Sequence, residues 1–354
     1  MTAAQILDIK EPGLIFSGEI NKAKSEYNHL VKIWHPDVSK DPRANEVFVH
    51  IKLLYETAME MINTGTWQVP GLIQFNDMSS GVKYRIKYHK HHKFELGDFY
   101  INDTVVMYVL ESKYRALVEN AKMIFKGFKF SSDRMEKETR RYLPEITKIF
   151  ETTDKICVVV KKTEDLLLLQ DVYEKLDTIP NRDRHVAWVI STIYNLCCYL
   201  EYTGVCHNAI SLDTYFISPK YHSGVLLGGW WYASIVGNKM KALPPKTYNL
   251  LPPDILISKI SDHKVDQELI KLVGRELLED KTGIKLIGMK IAPSAFINWL
   301  KCASNGKSVD NYKTWDKVLE ESFGKKRFVT MDLDAIKLYG ERSDNEKDDQ
   351  AIIP

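Results

Sequence analysis

The chain has 354 residues, 44% hydrophobic and 27% charged, with 49 basic against 47 acidic side chains and a formal charge of +2. That length suits about two to three domains, and the apolar share suits a soluble globular protein rather than a disordered chain. The charge balance offers no footprint for dedicated nucleic-acid or membrane-surface binding, and apolar runs such as Leu166–Leu169 fall far short of a membrane span.

The opening MTAAQILDIKEPG carries neither a basic leader nor an apolar stretch, so no secretion signal is expected. Five cysteines, at 157, 197, 198, 206 and 302, include no CxxC pair. Buried reduced thiols in a cytoplasmic setting are expected.

Residues 1–63 read as helical. Ile20, Ala23, Tyr27, Leu30, Val31 and Trp34 recur at helical spacing, which predicts an amphipathic helix over 18–34. Pro36 ends it, because proline lacks the backbone N–H and restricts the residue before it. After the polar stretch DVSKDPRA, a second stripe follows: Val47, Phe48, Ile51, Leu54, Tyr55 and Ala58. Two such helices bury their stripes against each other as an antiparallel hairpin, with His35, Pro36 and Asp37 at the exposed tip.

The segment YNHLVKIWHPDVSKDPRANEVFVHIKLLYETA resembles the core of a J-domain, the DnaJ-type co-chaperone module. Tyr27, Leu30, the His-Pro-Asp tripeptide, Ala44, Phe48, Ile51 and Tyr55 fall at that family's spacing. The resemblance implies docking on a DnaK-type chaperone ATPase through Tyr27, His35, Pro36 and Asp37, with Lys24 and Lys32 on the helix face. Asn28 stands where the family often has arginine, and residues 1–63 hold seven basic and nine acidic side chains. Steering toward an acidic partner therefore falls to a local face. The Gly/Phe-rich region and zinc repeats of full DnaJ chaperones are absent from the sequence.

Residues 64–82, NTGTWQVPGLIQFNDMSSG, have linker composition. From 83 to 163 short alternations of Tyr, Phe, Val and Ile predict several strands with one or two helices among them. Within this stretch His89, His91 and His92 suggest a metal, but Glu95 is the closest acid and no cysteine is near, so an exposed basic strand is the simpler reading. From 164 to 335 the periodicity is mainly helical, as in His185 to Leu200. Residues 336–354 read as a polar tail, and Lys325-Lys326-Arg327 as a solvated face.

Strands followed by helices, with CHNAISLDTYFI, LLGGWWYA and PPD in that order, resemble a protein-kinase fold: a β-rich small lobe over 83–163 and a helical lobe over 164–335. The motifs are degenerate. VVMYV resembles the lysine-bearing strand with Tyr108 at the lysine, and Leu96-Gly97-Asp98-Phe99 keeps one glycine of the phosphate loop. In the catalytic-loop pattern Ala209 replaces the aspartate, Ser211 the lysine and Thr214 the metal-binding asparagine. Leu227-Gly228-Gly229-Trp230 puts Gly228 where the magnesium-binding carboxylate belongs. Glu119, Glu136 and Glu138 are candidates for the helix glutamate that pairs with the missing lysine. Phosphoryl transfer depends on carboxylates and a cation around a phosphate–metal complex, and neutral groups at these positions leave nothing to hold magnesium. Trp230 and Trp231 beside the glycine turn read as core packing.

The expected fold is multidomain, mainly α with α+β: a helical-hairpin J-domain and a bilobal kinase-like domain. The expected function is a cytoplasmic co-chaperone, with no catalytic residues, metal or cofactor of its own. It would stimulate a DnaK-type ATPase while the kinase-like domain binds an unknown protein target. The arrangement looks like phage-encoded or bacterial accessory proteins. The alternatives are an atypical kinase or nucleotide-binding transferase, with Asp213 as a base, and a purely structural interaction protein.

Overall fold

A computed structural model describes residues 1–69, 71–289, 291–325 and 329–340. Helices and strands are mixed through the chain, which divides into two compact units. Among the described residues the first holds 1–112 and 146–159, the second 113–145 and 160 onward.

The first unit begins with α1 (Ala3–Leu7), α2 (Ile20–Trp34) and α3 (Ala44–Asn63). The two predicted stripes meet as expected: Ala23, Trp34, Val47, Ile51, Leu54 and Ala58 are buried together with Ala3, Ile6 and Phe16. Each large aliphatic side chain so buried contributes about 1.5–3 kcal/mol. Ile20 is an exception, lying exposed at the first turn of α2.

Residues 64–82 are not an unstructured linker. They carry β1 (Thr66–Val69) and β2 (Leu72–Asn76), which pair antiparallel with each other, and β2 pairs antiparallel with β3 (Lys83–Lys87). Ile73 and Phe75 alternate into a core while their neighbours stay half-exposed. Trp67 packs on the hairpin core. Its ring lies so near Gly18 that a Cβ there would sit 2.6 Å from it. The glycines, Asn and Ser that suggested a linker punctuate strands instead.

A five-stranded sheet follows, ordered β4-β5-β6-β8-β7, from β4 (Lys90–Phe94), β5 (Gly97–Ile101), β6 (Val105–Glu111), β7 (Ile146–Glu151) and β8 (Lys155–Lys161). Tyr100, Met107, Val109, Phe150, Cys157 and Val159 share a core with Ile73 and Phe75. β6 is buried along nearly its whole length, which explains its continuous apolar run.

The second unit contains α4 (Arg115–Lys126) and α5 (Asp133–Thr139), then β9 (Leu167–Leu168), α6 (Leu169–Tyr173) and α7 (Arg182–Thr203). Short strands β10 (Val205–Cys206), β11 (Tyr215–Ser218), β12 (Ser223–Leu226) and β13 (Ser234–Ile235) form a β12-β11-β9 sheet and a β10-β13 pair. Helices α8 (Pro245–Tyr248), α9 (Pro253–Ser258), α10 (His263–Leu277), α11 (Leu286–Met289), α12 (Ser294–Lys301), α13 (Ser308–Phe323) and α14 (Ala335–Tyr339) complete it. Helix α7 is the hub. Val186, Val189, Ile190, Ile193, Leu196, Cys197 and Leu200 are all buried, so its stripe is wide enough to pack on α10 and α13.

The expected polar tail begins later than 336. Asp334 caps α14 by accepting the Lys337 N–H at 2.8 Å, and the Tyr339 hydroxyl donates to Asp171 Oδ2 at 3.0 Å. The rest of that tail, with Lys326 and Arg327, lies outside the described residues. Cys157, Cys197 and Cys206 are buried as expected, but Cys198 is half-buried and Cys302 exposed at the end of α12. No described helix is long and apolar enough to cross a membrane.

Candidate functional site

The tip of the α2–α3 hairpin is built by its own backbone. His35 takes an extended conformation, with ψ 133°, as a residue before proline must, while its N–H still bonds the Val31 carbonyl. The His35 carbonyl then accepts the N–H groups of Val38 and Ser39, each at 2.9 Å. Asp41 accepts the Arg43 N–H at 2.9 Å and leads into α3. With the backbone closed on itself, Pro36, Asp37 and Val38 stand exposed.

The His35 ring is edge-on to Phe48, 5.4 Å between centroids. Its Nδ1 accepts the Asp37 N–H at 3.2 Å, so in the neutral ring the proton sits on Nε2. The Asp37 carboxylate lies 3.6 Å from Nδ1 and is 87% exposed. Along α2, Lys22 pairs with Glu19 at 3.0 Å. Lys24 and Lys32 are exposed and have no ion-pair partner among the described residues. They are eight positions apart, about two turns, on neighbouring parts of one face. Tyr27 is half-buried and stacks on Tyr55 at 4.1 Å, so its ring helps hold the hairpin together.

The second cluster of sequence-selected residues surrounds His207. Its Nε2 donates to the Gly228 carbonyl at 3.0 Å, and its Nδ1 accepts the Ala209 N–H at 3.3 Å. The ring is fully buried against Trp230, 4.7 Å away and nearly perpendicular, and burial pushes its pKa down to about 3. It is a neutral structural imidazole. Thr214 is equally committed: its hydroxyl donates to the Ala209 carbonyl at 2.8 Å and accepts the Ser211 N–H at 3.0 Å. Ser211 Oγ lies 3.3 Å from the same hydroxyl.

Gly228 contributes only backbone, bonding the Thr214 carbonyl through its N–H. Gly229 is required beside it. Its φ is +79°, and a Cβ would lie 2.8 Å from His207 Cε1 and 3.0 Å from Ala209 Cβ. Trp230 and Trp231 are buried. Trp230 packs on Phe125 and Phe128 and donates its indole N–H to the Leu226 carbonyl.

Sequence reasoning missed the residue that fixes this loop. Asp266, in the first turns of α10, accepts the backbone N–H of His207 and of Asn208, each at 2.7 Å. Burial pushes its pKa up to about 7, opposed by those two bonds. Asn208 adopts a left-handed φ of 62° and spends its amide on the Tyr232 carbonyl and Ser234 Oγ. The available signal was the position of Asp266 on the apolar stripe it shares with Ile270, Val273 and Leu277. An acid on such a stripe needs buried partners.

In the first unit Tyr108 is buried among Phe94 and Phe99, at 6.1 and 5.4 Å between ring centroids. Glu119, Glu136 and Glu138 pair along their own helical segments with Lys122, Arg140 and Arg134. Asp213 pairs with Lys246 at 2.9 Å.

The histidine strand corrects one expectation: acids do lie near it. His89 Nε2 meets Asp103 Oδ1 at 2.6 Å and His91 Nε2 meets Asp98 Oδ1 at 2.8 Å. The β4–β5 register, with Lys93 opposite Asp98, brings Asp98 across from the next strand, and Asp103 lies in the bend just past β5. His91 and His92 stack on Tyr100 and Phe99, and each of the two acids meets a different histidine.

No protein-family model matches the chain, and a search of curated proteins returns no match.

Proposed function

We propose that the protein is a co-chaperone that engages a DnaK-type ATPase through His35, Pro36 and Asp37, with a kinase-like region that binds a target rather than transferring phosphate. The observation that carries this reading is the hairpin tip. Its backbone needs are met internally, its imidazole and carboxylate face solvent, and two uncompensated lysines lie on the adjoining helix. A turn with no packing duty for Asp37 is suited to recognition. Lys24 and Lys32 supply the local positive face that an acidic chaperone surface favours.

The scaffold half rests on chemistry that is missing. A phosphate-pairing lysine is replaced by Tyr108 in an aromatic core. Ala209, Thr214 and Gly228 offer a methyl group, a committed hydroxyl and a backbone unit where magnesium would need carboxylate and amide oxygens. Such a region retains a surface for a protein partner and lacks the means to stabilise a transferring phosphoryl group.

The test is binding of the full chain to a DnaK-type chaperone in its ATP state, measured by surface-immobilised kinetics. The full chain is the right reagent, because Trp67 of β1 packs on the hairpin core and truncation at 63 would expose that core. Loss of binding in His35→Gln supports the proposal; equal binding by wild type and variant contradicts it.

A further inference from the structure

In the second unit, α10 begins with His263 and Asp266, three positions apart and so on one face of the helix. Strand β10 brings Cys206 against them. The three side chains are buried, and one donor atom from each lies within 4.8 Å of the others. The Cys206 Sγ to His263 Nδ1 separation is 3.5 Å. That is the edge of a tetrahedron around zinc, since bonds of about 2.3 Å to sulfur and about 2.0 Å to nitrogen subtend about 3.5 Å.

Charge points the same way. The Asp266 carboxylate is buried, accepts two backbone N–H groups, and has no cationic partner among the described residues. A carboxylate kept from water without a cation is costly. A thiolate, a carboxylate and a neutral imidazole around a divalent ion sum to zero, which removes that cost. The two backbone bonds also fix the Asp266 plane. Outer contacts of this kind orient ligands in metal sites.

We propose that Cys206, His263 and Asp266 form a structural zinc site that staples β10 to the start of α10. A water completes four-coordination. Every pair of donor atoms lies within 4.8 Å, so closing to tetrahedral edges requires movement of no more than about 1.5 Å. The mixed sulfur, nitrogen and oxygen set selects zinc over magnesium or calcium, which take oxygen ligands. The site belongs to the second unit and does not depend on the co-chaperone reading.

The test uses the purified full chain with zinc and, in parallel, cobalt(II) as a spectroscopic replacement. The expected result is about one zinc retained per chain, with cobalt showing tetrahedral bands and a thiolate-to-cobalt charge-transfer band. Cys206→Ser should abolish that band, and His263→Gln should weaken metal binding at least about tenfold. Zinc should also protect Cys206 from alkylation, mapped by mass spectrometry on the wild type, so the test stands even if a variant fails to fold. Less than about a tenth of an equivalent of zinc, a wild-type cobalt spectrum without thiolate charge transfer, or charge transfer persisting in Cys206→Ser overturns the proposal. So does alkylation of Cys206 at equal rates with and without zinc.

Discussion

His35 and Asp37 are joined across the proline between them: the His35 Nδ1 accepts the Asp37 N–H at 3.2 Å, and the two side chains lie 3.6 Å apart. The bond orients the imidazole and leaves its Nε2 as the outward donor beside an exposed carboxylate. Pro36 makes this possible by stopping α2 and fixing the chain direction at the turn. What the pair offers a partner is one donor and one anion in a fixed relation.

The lysines should act on encounter more than on residence. Lys24→Glu with Lys32→Glu is expected to lower the association rate with a DnaK-type chaperone by on the order of tenfold at low salt. The difference should shrink as salt rises to about 1 M, where screening extends over only about 3 Å. Stopped-flow kinetics at several salt concentrations check this. An effect confined to the dissociation rate would argue against steering.

Nucleotide should not stabilise the protein. A site filled at about 100 times its Kd raises stability by about 2.7 kcal/mol, readily seen in a melting curve. Thermal denaturation with ATP and magnesium is expected to superimpose on the ligand-free curve, for wild type and for Asp213→Asn alike. A shift that Asp213→Asn abolishes would favour the transferase alternative.

Gly229→Ala should cost about 1–3 kcal/mol, read as the change in urea midpoint at constant slope. Gly237→Ala is the matched control. Its φ is also positive, +81°, but nothing lies within 4 Å of the added Cβ. It should cost clearly less, and the difference reports the close approach of Gly229 to His207 and Ala209. Equal losses would mean backbone strain alone decides.

His185 supplies a pH dependence. It is buried on α7, and burial holds its imidazole below the ordinary value, with the Pro180 carbonyl and Asp183 opposing and His222 reinforcing the shift. The unfolded imidazole titrates near about 6.5. Below that pH the unfolded chain takes up a proton the native chain refuses, so stability present above it is lost as pH falls. The slope is at most about 1.4 kcal/mol per pH unit. Urea titrations between about pH 7.5 and 5.5 should show a steeper acid loss for wild type than for His185→Leu. Parallel losses would place the acid sensitivity elsewhere.

The hairpin was legible because both stripes repeat at 3.6 residues and a proline marks the stop. Helix α7 was legible for the same reason. The hairpin of β1 and β2 was not, because Gly71 and the flanking polar residues resemble a linker until Ile73 and Phe75 are seen to alternate into a core. The acid beside His91 depended on strand register, which the histidine segment alone does not contain. The clasp of Asp266 on His207 joins residues 59 positions apart. No local pattern encodes that contact; only the apolar neighbours of Asp266 hinted that it needed one.

The central claim is tested most directly by steady-state ATP hydrolysis of a DnaK-type chaperone in the presence of the full chain. Wild type is expected to raise the rate several-fold, and His35→Gln to return it to the chaperone's basal level. The variant should keep its stability to within about 1 kcal/mol, because the half-exposed ring at the turn carries little packing. No stimulation by wild type, or equal stimulation by a folded His35→Gln protein, would contradict the account.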